Sequence, residues 1–545
     1  MYPPQAAPID RVTDLISLYS NSYASAAYFL CDRHDPKAIA YTIIAPDLSS
    51  EDLTYGALRL ESERLAGGLD NLGLRPGDRI ATLMGKGREY LVTVMAIWRL
   101  GCVHVPLFTA FAPAAIAFRL AASRSKLVVC DATQRPKLLP GEDAPSDVPW
   151  RVVTTGEVDA GTLAFKDLLY ISSPTDSVAV GGDAPIVQLY TSGTTGNPKG
   201  VLVPLRALAS FQVYAEYGLG IRSDDVFWNA ADPGWAYGLY FGIITSFLTG
   251  VRSILLQGGF SAETTFAVLG RYSVTNFTAA PTVYRALRTS GLKLPDTLKL
   301  RCASSAGEPL TPEVIDWSKT MLGVAVHDHY GQTEAGMVIN NHHHPALQKP
   351  LKPGSMGHAM PGWRTVVLKP DKDEIAATGE LGRVAVDLAH SPLAWFQGYV
   401  DEPAKSAERF SSDGRWYFTG DTGYLDPEGH FYFSSREDDV IIMAGYRIGP
   451  FEVESVLASH PAVAECAVIA VPDEVRGEVL EAVVVLQCGY KASDYLTTEI
   501  QDWVKKRFAA HAYPRRVHYV ESLPRTPSGK LQRFVLRKKL AIRVD

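Results

Sequence analysis

A chain of 545 residues is too long for one hydrophobic core and predicts a multidomain protein. Its 46% hydrophobic and 21% charged residues are typical of soluble globular proteins, and a net charge of −6 leaves no basic field for nucleic acid. The six cysteines are scattered without a Cys-x-x-Cys motif. This favours reduced thiols in the cytoplasm over a disulfide framework or a zinc site.

The amino terminus lacks the basic and apolar regions of a signal peptide. The uncharged stretch 235–251 falls short of the ~20 apolar residues of a membrane helix and contains several Gly, Ser and Thr residues. We therefore expect a buried helix near a ligand pocket there, no membrane span, and a cytoplasmic protein.

Helices and strands alternate over the first 131 residues. The spacing of apolar residues predicts helices over residues 53–73, 89–100 and 113–123. Short apolar runs predict strands over residues 80–84, 103–107 and 126–131. Strands that alternate with helices of this length predict parallel α/β layers.

The remainder divides into four stretches. Residues 132–184, rich in Pro, Gly, Asp and Thr, are predicted to be surface connection. The alternation then resumes with helix 205–217, strand 253–257, helix 261–271, strand 276–280 and helix 282–290. Short strands between Gly and Pro turns from about Gly354 to Ser435 predict a β-rich subdomain, and the last hundred residues are α/β again.

An apolar strand from Pro185 leads into a loop dense in Gly, Ser and Thr. Such a loop turns backbone N–H groups inward and adds hydroxyl donors, and Lys199 adds a positive charge, so it suits a phosphate. A solvated surface loop is the alternative, but the apolar flanks anchor this one. A Walker A motif does not fit, because Gly193 and Gly196 are too close and Gly200 follows Lys199.

The sequence Thr-Ser-Gly-Thr-Thr-Gly-Asn-Pro-Lys-Gly over residues 191–200 resembles the phosphate loop of acyl-adenylate-forming enzymes. These include acyl-CoA synthetases, peptide-synthetase adenylation domains and firefly luciferase. The resemblance implies that ATP is bound by Thr191, Ser192, Gly193, Thr194, Thr195, Gly196 and Lys199, and that Thr191 also meets the metal ion.

Two further segments resemble the nucleotide site of this family. Gly307, Glu308 and Pro309 stand where Gly-Glu-Pro lines the adenine pocket. The run 327–334 resembles the aromatic-Gly-Gln-Thr-Glu segment, whose ATP-binding positions here are Asp328, His329, Tyr330, Gly331, Gln332 and Thr333. Tyr330 offers adenine a flat face, Thr333 a donor to the α-phosphate, and Glu334 a carboxylate for Mg²⁺. A polar helix cap is the alternative for Thr-Glu alone.

The segment 417–424 carries Asp421 between two glycines, suited to accept hydrogen bonds from both ribose hydroxyls. A calcium loop is the competing interpretation, but the other carboxylates have the wrong spacing. The family's Gly-Arg-x-Asp-Asp segment follows, with Ser435 in place of the Gly. It implies that Arg436 contacts the ribose and that Asp438 is a hinge between domains 1–436 and 437–545; a charged, solvated turn is the alternative.

The C-terminal part resembles the acyl-CoA synthetases in particular. Segment 442–454 implies CoA binding by Ala444, Gly445, Tyr446 and Arg447, with Ala444 standing where Ser or Lys is common. Arg476 is a candidate for the CoA phosphates. Lys505, Lys506 and Arg507 are weaker candidates that also fit a solvated helix face. The run 523–533 matches the family's Pro-[Lys/Arg]-Thr-x-Ser-Gly-Lys signature, which makes Lys530 the catalytic lysine.

The resemblance also implies an acyl pocket walled by Trp235, Ala236, Tyr237, Ala306 and Gly331. Acetate-specific members close this pocket with a Trp at the position of Gly331. An open apolar pocket gains about 0.8 kcal/mol per buried CH₂. We therefore expect a short- to medium-chain acid longer than acetate, and a Gly331→Trp variant should lose longer acids while retaining acetate or propionate.

The sequence thus predicts an α/β fold with a large N-terminal domain of parallel layers, a β-rich subdomain and a small, mobile C-terminal α+β domain. The predicted function is AMP-forming acyl-CoA synthesis, an acid–thiol ligation that uses ATP, Mg²⁺ and coenzyme A. Catalysis is assigned to Thr333, Glu334 and Lys530. The alternatives are a ligase that loads a carrier protein, a luciferase-like oxygenase and a silent nucleotide-binding protein. The adjacent histidines 342–344 receive no metal assignment, and the oligomeric state is not predicted.

Overall fold

The computed structural model describes residues 7–141, 147–158, 161–171, 173–191, 198–443, 446–473, 477–509, 512–525 and 531–541. Up to residue 204 its strands are β1 (Ile39–Ile44), β2 (Ser50–Thr54), β3 (Arg79–Leu83), β4 (Val103–Pro106), β5 (Leu127–Asp131), β6 (Arg151–Thr155), β7 (Leu163–Ala164), β8 (Pro185–Thr191) and β9 (Lys199–Pro204). The helices of this part are α1 (Pro8–Tyr19), α2 (Tyr55–Asn71), α3 (Arg88–Arg99), α4 (Pro113–Ala122) and α5 (Phe165–Ile171).

The middle of the chain contains strands β10 (Val226–Asn229), β11 (Arg252–Leu256), β12 (Asn276–Ala279), β13 (Cys302–Ala306), β14 (Val326–Gln332), β15 (Gly336–Asn340), β16 (Ser355–Ala359), β17 (Thr365–Leu368), β18 (Gly382–Asp387), β19 (Trp416–Leu425) and β20 (Phe431–Arg436). Its helices are α6 (Leu208–Val213), α7 (Ala236–Gly238), α8 (Thr245–Thr249), α9 (Ala262–Arg271), α10 (Pro281–Thr289), α11 (Pro312–Met321) and α12 (Pro403–Ala407).

The last part contains strands β21 (Ile441–Met443), β22 (Tyr446–Ile448), β23 (Val463–Asp473), β24 (Gly477–Leu486) and β25 (Arg516–Tyr519). Its helices are α13 (Pro450–Ala458), α14 (Asp494–Arg507) and α15 (Arg533–Ala541). Strands β21 to β25 form a sheet of their own, in which β24 pairs antiparallel with β23 and parallel with β25. A small apolar core of its own lies against this sheet.

Two larger sheets form the rest. One has the order β7-β6-β5-β3-β4-β8-β9 and is parallel except for the β8–β9 hairpin. The other runs β17-β18-β19-β20-β16-β15-β14-β13-β12-β10-β11-β1-β2. It is parallel from β14 to β1 and antiparallel from β14 to β17. The predicted α/β class is confirmed, and the β-rich subdomain continues the parallel part of the same sheet.

The expectation that residues 132–184 only connect other elements was wrong. Strand β6 pairs in parallel with β5, and Val153 is fully buried in the core beside it. Strand β7 and helix α5 follow in the same stretch. The apolar run Val152–Val153 is too short to stand out among polar neighbours, so its pairing depends on β5, not on local propensity.

The uncharged stretch after Trp235 forms a continuous, largely buried helical run, as expected. It comprises α7, a π-helical segment Leu239–Ile244 and α8, and it ends at Gly250, whose φ of 74° suits glycine. A second π-helical segment, Tyr214–Gly218, ends the predicted helix 205–217. Within the described residues, none of the helices has the length and apolar character needed to cross a membrane.

Candidate functional site

The β8–β9 hairpin frames the predicted phosphate loop. Thr191, the last residue of β8, pairs with Lys199, the first residue of β9. The predicted ATP-binding residues between them lie outside the described residues: Ser192, Gly193, Thr194, Thr195 and Gly196. The Lys199 Nζ atom lies 4.4 Å from the centroid of the Tyr399 ring, a cation–π distance. The hairpin therefore brings a threonine and a cation to the same end of the seven-stranded sheet.

Asp421 is the centre of a hydrogen-bond network at the predicted ribose site. Its Oδ2 atom accepts hydrogen bonds from the Tyr330 hydroxyl and from Gln332 Nε2 at 2.8 Å, and Oδ1 accepts one from Arg436 Nη1 at 2.8 Å. The Tyr417 hydroxyl donates to Gln332 Oε1 at 2.8 Å. A carboxylate has about four acceptor positions, and three of them are used here. A ribose that donates both of its hydroxyls must therefore share or displace one of these donors.

The pairing of Arg436 with Asp421 is strong. The Asp421 carboxylate raises the pKa of Arg436 further above its ordinary value, so the guanidinium stays charged. Ser435, which replaces the family's glycine, is buried in β20, and its hydroxyl lies 2.9 Å from the Thr422 hydroxyl. The serine is thus accommodated by the neighbouring strand and leaves Arg436 in place.

The predicted adenine loop follows β13. Gly307 has a φ of 97°, which a residue with a side chain rarely adopts. Glu308 accepts hydrogen bonds from Thr282 Oγ1 at 2.8 Å and from Arg285 Nη2 at 2.7 Å. Helix α10 therefore holds the loop through Glu308, and the glycine allows the sharp turn before it.

Glu334 is a buried carboxylate among polar and cationic groups. Its Oε1 atom accepts a hydrogen bond from the Tyr399 hydroxyl at 2.8 Å, and Arg409 Nε donates to that hydroxyl at 3.0 Å. Its second oxygen has no hydrogen-bond partner within the described ranges. A hard cation such as Mg²⁺ prefers carboxylate and hydroxyl oxygens. Glu334, with Thr191 at the end of β8, supplies that donor chemistry.

The predicted acyl-pocket residues divide between two packing environments. The Tyr237 hydroxyl lies 3.1 Å from the Tyr214 hydroxyl and 2.9 Å from Thr278 Oγ1. The Trp235 ring instead packs against Phe108 and Phe111, with centroids 5.0 and 5.5 Å away. Ala306 ends β13, where it is buried, and Ala236 begins α7 next to Tyr237.

Gly331 lies at an irregularity in the β14–β15 pairing. A Cβ atom there would lie 2.1 Å from the backbone oxygen of Gly336. A side chain at Gly331 therefore fits only after the backbone of β15 has moved, and the expected effect of Gly331→Trp on acid length stays a prediction.

Strand β14 also brings histidines together. His327 and His343 stack with ring centroids 3.7 Å apart, and ring nitrogens of these two and His329 lie within 4.8 Å of one another. Each ring contacts a backbone carbonyl: His327 and His329 contact that of Asn341, and His343 that of Ala303. Burial lowers the pKa of all three, to about 4 for His327. They form a neutral, hydrogen-bonded stack beneath the site.

Burial also raises the pKa of Asp328 well above its usual range. The Nδ1 atom of its neighbour His329 lies 2.8 Å from the Tyr214 hydroxyl, within hydrogen-bond distance. Both residues are buried in β14, His329 next to Tyr330 and Asp328 two residues before it. Burial thus disfavours the charged form of both side chains.

The structure describes only part of the C-terminal residues that are predicted to bind CoA or to act in catalysis. Ala444, Gly445, Arg476 and Lys530 lie outside the described residues, and Tyr446 and Arg447 are described only as backbone of β22. Asp438 lies in the short 3₁₀ segment Glu437–Asp439, between β20 and β21.

Arg525 reaches the N-terminal part of the site. Its Nη1 atom lies 3.9 Å from Glu308 Oε2, and its Nη2 atom donates to Glu465 at 2.8 Å. Arg525 also pairs with Leu531 as an antiparallel bridge. Arg525, a residue of the catalytic-lysine signature, therefore lies beside the predicted adenine loop.

The match to family models decides the identity. The AMP-binding enzyme model matches residues 31–400, and the AMP-binding enzyme C-terminal domain model matches residues 452–530. The chain belongs to the AMP-binding enzyme family. Within it the chain is an acyl-CoA synthetase, an AMP-forming acid–thiol ligase that uses ATP, Mg²⁺ and coenzyme A.

Individual relatives agree. The chain is 36% identical over 471 residues to human mitochondrial acyl-coenzyme A synthetase ACSM4, covering 85% of this chain and 80% of that protein. A Brucella canis acyl-CoA synthetase structure is 41% identical, covers 99% of both chains and superposes with a TM-score of 0.76. The anthranilate CoA ligase AuaEII with anthranoyl-AMP is 27% identical, covers 98% of this chain and 99% of its own, and has a TM-score of 0.86.

Sequence reasoning missed two residues of this synthetase's site, Tyr399 and Arg409. Both contact the predicted ligand Glu334, directly or through one hydroxyl. Neither stands in a glycine-rich or acidic motif; Tyr399 follows a Trp-Phe-Gln-Gly run that is typical of a core segment. Only the pairing of Tyr399 with Val201 in β9 brings it to the site.

Proposed function

We propose that this synthetase activates a short- to medium-chain carboxylic acid longer than acetate, and that Lys530 catalyses the formation of its acyl-AMP. The network around Asp421 carries the proposal. It joins Tyr330 and Gln332 of β14 to Arg436 of β20, so that one anion collects donors from both parts of the large sheet. Such a preorganised polar site suits a nucleotide with a ribose diol.

The first half-reaction is acyl-AMP formation. The acid's carboxylate attacks the α-phosphorus of ATP and pyrophosphate leaves. Negative charge increases on the α-phosphoryl oxygens, and a fixed cation such as Lys530 stabilises it. Thr191 and Glu334 would hold Mg²⁺, which would supply positive charge against the leaving pyrophosphate, and Lys199 steadies the phosphate chain. The contact of Arg525 with Glu308 supports this role, because it ties the signature that contains Lys530 to the adenine side.

The second half-reaction is thioester formation. We propose that domain 437–545 turns about Asp438, withdraws Lys530 and presents Ala444, Gly445, Tyr446 and Arg447 to the pantetheine arm, with Arg476 near the CoA phosphates. The CoA thiol then attacks the acyl carbon and AMP leaves. Rotation about a short hinge lets one pocket serve two steps. Lys199 is then needed in the first half-reaction only.

The acyl pocket is proposed to be walled by Ala236, Tyr237 and Ala306. Tyr214 begins the π-helical segment that follows α6, and its hydroxyl lies 3.1 Å from that of Tyr237 in α7. Segments of this kind often occur at functional sites. Small residues beside these rings leave space for several methylene groups or a ring, each buried CH₂ adding about 0.8 kcal/mol.

The acid is tested by pyrophosphate release from a panel that runs from acetate to octanoate and benzoate, with and without CoA. We expect butyrate and longer acids to exceed acetate, with thioester product only when CoA is present. An Ala236→Phe variant should lose the longer acids and keep the shorter ones, whereas Ala236→Ser should retain the wild-type order. A preference for acetate in the wild type would refute the proposed acid class.

A further inference from the structure

Tyr399 connects three charged groups of the site, although no sequence motif includes it. Its hydroxyl donates to Glu334 Oε1 at 2.8 Å and accepts from Arg409 Nε at 3.0 Å. On its ring face, the Lys199 Nζ atom lies 4.4 Å from the centroid. One phenol therefore contacts the predicted metal ligand, the phosphate-loop lysine and a partly buried arginine.

The backbone fixes Tyr399 in this position. It forms an isolated antiparallel bridge with Val201, and the next amide, that of Val400, donates to the Gly200 oxygen at 2.9 Å. Its own amide donates to Ser406 Oγ at 2.8 Å. The segment is thus bonded to the two residues that follow Lys199, and the ring has little freedom to move relative to the phosphate-loop hairpin.

Arg409 is fixed as firmly. Besides the Tyr399 hydroxyl, its guanidinium donates from Nη1 to the Thr419 oxygen at 3.1 Å. A Cβ on Gly420 would lie 2.6 Å from the same nitrogen, so this glycine lets the guanidinium approach β19. The arginine therefore lies against β19 at the position before Asp421 and reaches Glu334 through the Tyr399 hydroxyl.

The chemistry of Arg409 determines the direction of the hydrogen bonds from Arg409 to Tyr399 and from Tyr399 to Glu334. Arg409 can only donate, so the Tyr399 oxygen accepts from it and the Tyr399 proton is directed to Glu334. One Glu334 oxygen is engaged, and the other is without a hydrogen-bond partner in the part of the chain that the structure describes.

We propose that Tyr399 and Arg409 are positioning residues that hold the Glu334 carboxylate in the orientation that binds the Mg²⁺ of MgATP. The inference rests on the proposed role of Glu334. Groups that hydrogen-bond to a metal ligand fix its orientation, and their loss typically weakens metal binding 10- to 100-fold. Neither residue contacts the metal or the reacting atoms itself.

The alternative is that Tyr399 is only a core residue, since it is 5% exposed. A Tyr399→Phe variant separates the two roles, because it keeps the ring under Lys199 and removes only the hydroxyl. Tyr272→Phe is the matched control: its hydroxyl donates to the Leu48 oxygen at 2.8 Å, far from these groups.

The experiment measures binding of Mn²⁺ with ATP to each protein by the electron paramagnetic resonance signal of free Mn²⁺. We expect the dissociation constant of the metal–ATP complex to rise about tenfold in Tyr399→Phe and to stay unchanged in Tyr272→Phe. Binding of ATP in the presence of a chelator should be equal in all three proteins. In turnover, a high Mg²⁺ concentration should restore the adenylation rate of Tyr399→Phe, since chemistry itself is intact.

A second pair of variants keeps the test decisive if one substitution disturbs folding. Arg409→Lys should retain tighter metal–ATP binding than Arg409→Gln, because only lysine restores a cation that can donate to the phenol. Unchanged metal–ATP affinity in Tyr399→Phe, or equal loss in the Tyr272→Phe control, overturns the positioning role. A wild-type protein that binds no metal–ATP overturns the proposed nucleotide site as well. Failure of the proposed function is therefore seen in the wild type, and failure of the positioning role only in the variants.

Discussion

The Arg525 guanidinium lies 3.9 Å from the Glu308 carboxylate, so a residue of the C-terminal sheet region contacts the loop that follows β13. Arg525 also pairs with Leu531, the residue after the predicted catalytic lysine. In the mechanism proposed above, this contact would belong to the arrangement that forms acyl-AMP, because it holds the Lys530 signature beside the predicted adenine loop.

Replacing Arg525 should therefore affect one half-reaction. In Arg525→Ala we expect acyl-AMP formation to slow about fivefold, the effect of losing a partly exposed ion pair worth up to ~1 kcal/mol. Thioester formation from supplied acyl-AMP should be unaffected. Glu465→Gln is the control, because it removes the charge of another partner of Arg525 and leaves Glu308 intact. Equal slowing of both half-reactions would argue against the contact as a feature of one conformation.

Asp421→Asn should weaken ATP binding. The substitution removes the charge that organises Tyr330, Gln332 and Arg436, and hydrogen bonds to a charged group contribute about 1.5–3 kcal/mol. We expect the KM for ATP in ATP–pyrophosphate exchange to rise at least tenfold. Asp426→Asn, at the turn after β19, should leave it unchanged. An unaltered KM in Asp421→Asn would remove this residue from the ribose site.

Asp438→Pro tests the hinge. Proline fixes its own φ and restricts the residue before it, so one of two backbone arrangements should be disfavoured. We expect one half-reaction to fall at least tenfold more than the other when they are measured separately. Asp438→Ala removes the same carboxylate without restricting the backbone and should slow neither selectively. Proportional loss in the proline variant would contradict a hinge at this residue.

The buried histidines should make folding sensitive to acid. Burial holds the pKa of His327 at about 4, below the ordinary 6.5, so the unfolded chain takes up protons first as the pH falls. Stability is thus retained above pH 6.5 and lost as the pH drops toward 5, at up to ~1.4 kcal/mol per pH unit for each such group. His327→Gln should show a shallower dependence of Tm on pH between 6.5 and 5, and an identical slope would contradict the prediction.

Much of this architecture follows from local sequence. Asp421 stands between glycines at the end of an aromatic run, and β8 is apolar up to Thr191, so motif and strand can be predicted together. Gly307 likewise predicts a turn, and its positive φ agrees. Turns at glycines and apolar strands can be predicted locally, because the residue types at a few neighbouring positions limit the backbone conformation there.

Other features depend on contacts between distant segments. Tyr399 reaches Glu334 only because its strand-like segment pairs with β9, and no periodicity reveals that pairing. His343, in a run of histidines that suggests a polar loop, is instead stacked on His327. Gly331 looks like an open pocket position until the backbone of Gly336 is seen to occupy the space. Packing across the sheet, not local propensity, determines these three.

The central claim is that Lys530 is the cation of acyl-AMP formation. The most direct measurement compares Lys530→Ala with wild type in two separate assays: pyrophosphate release from ATP and the acid, and thioester formation from supplied acyl-AMP and CoA. Loss of one transition-state donor costs about 10²–10³ in rate, so the first assay should fall by that factor while the second stays within about twofold. Lys538→Ala, an exposed lysine of α15, should leave both rates unchanged. Intact pyrophosphate release in Lys530→Ala would contradict the account.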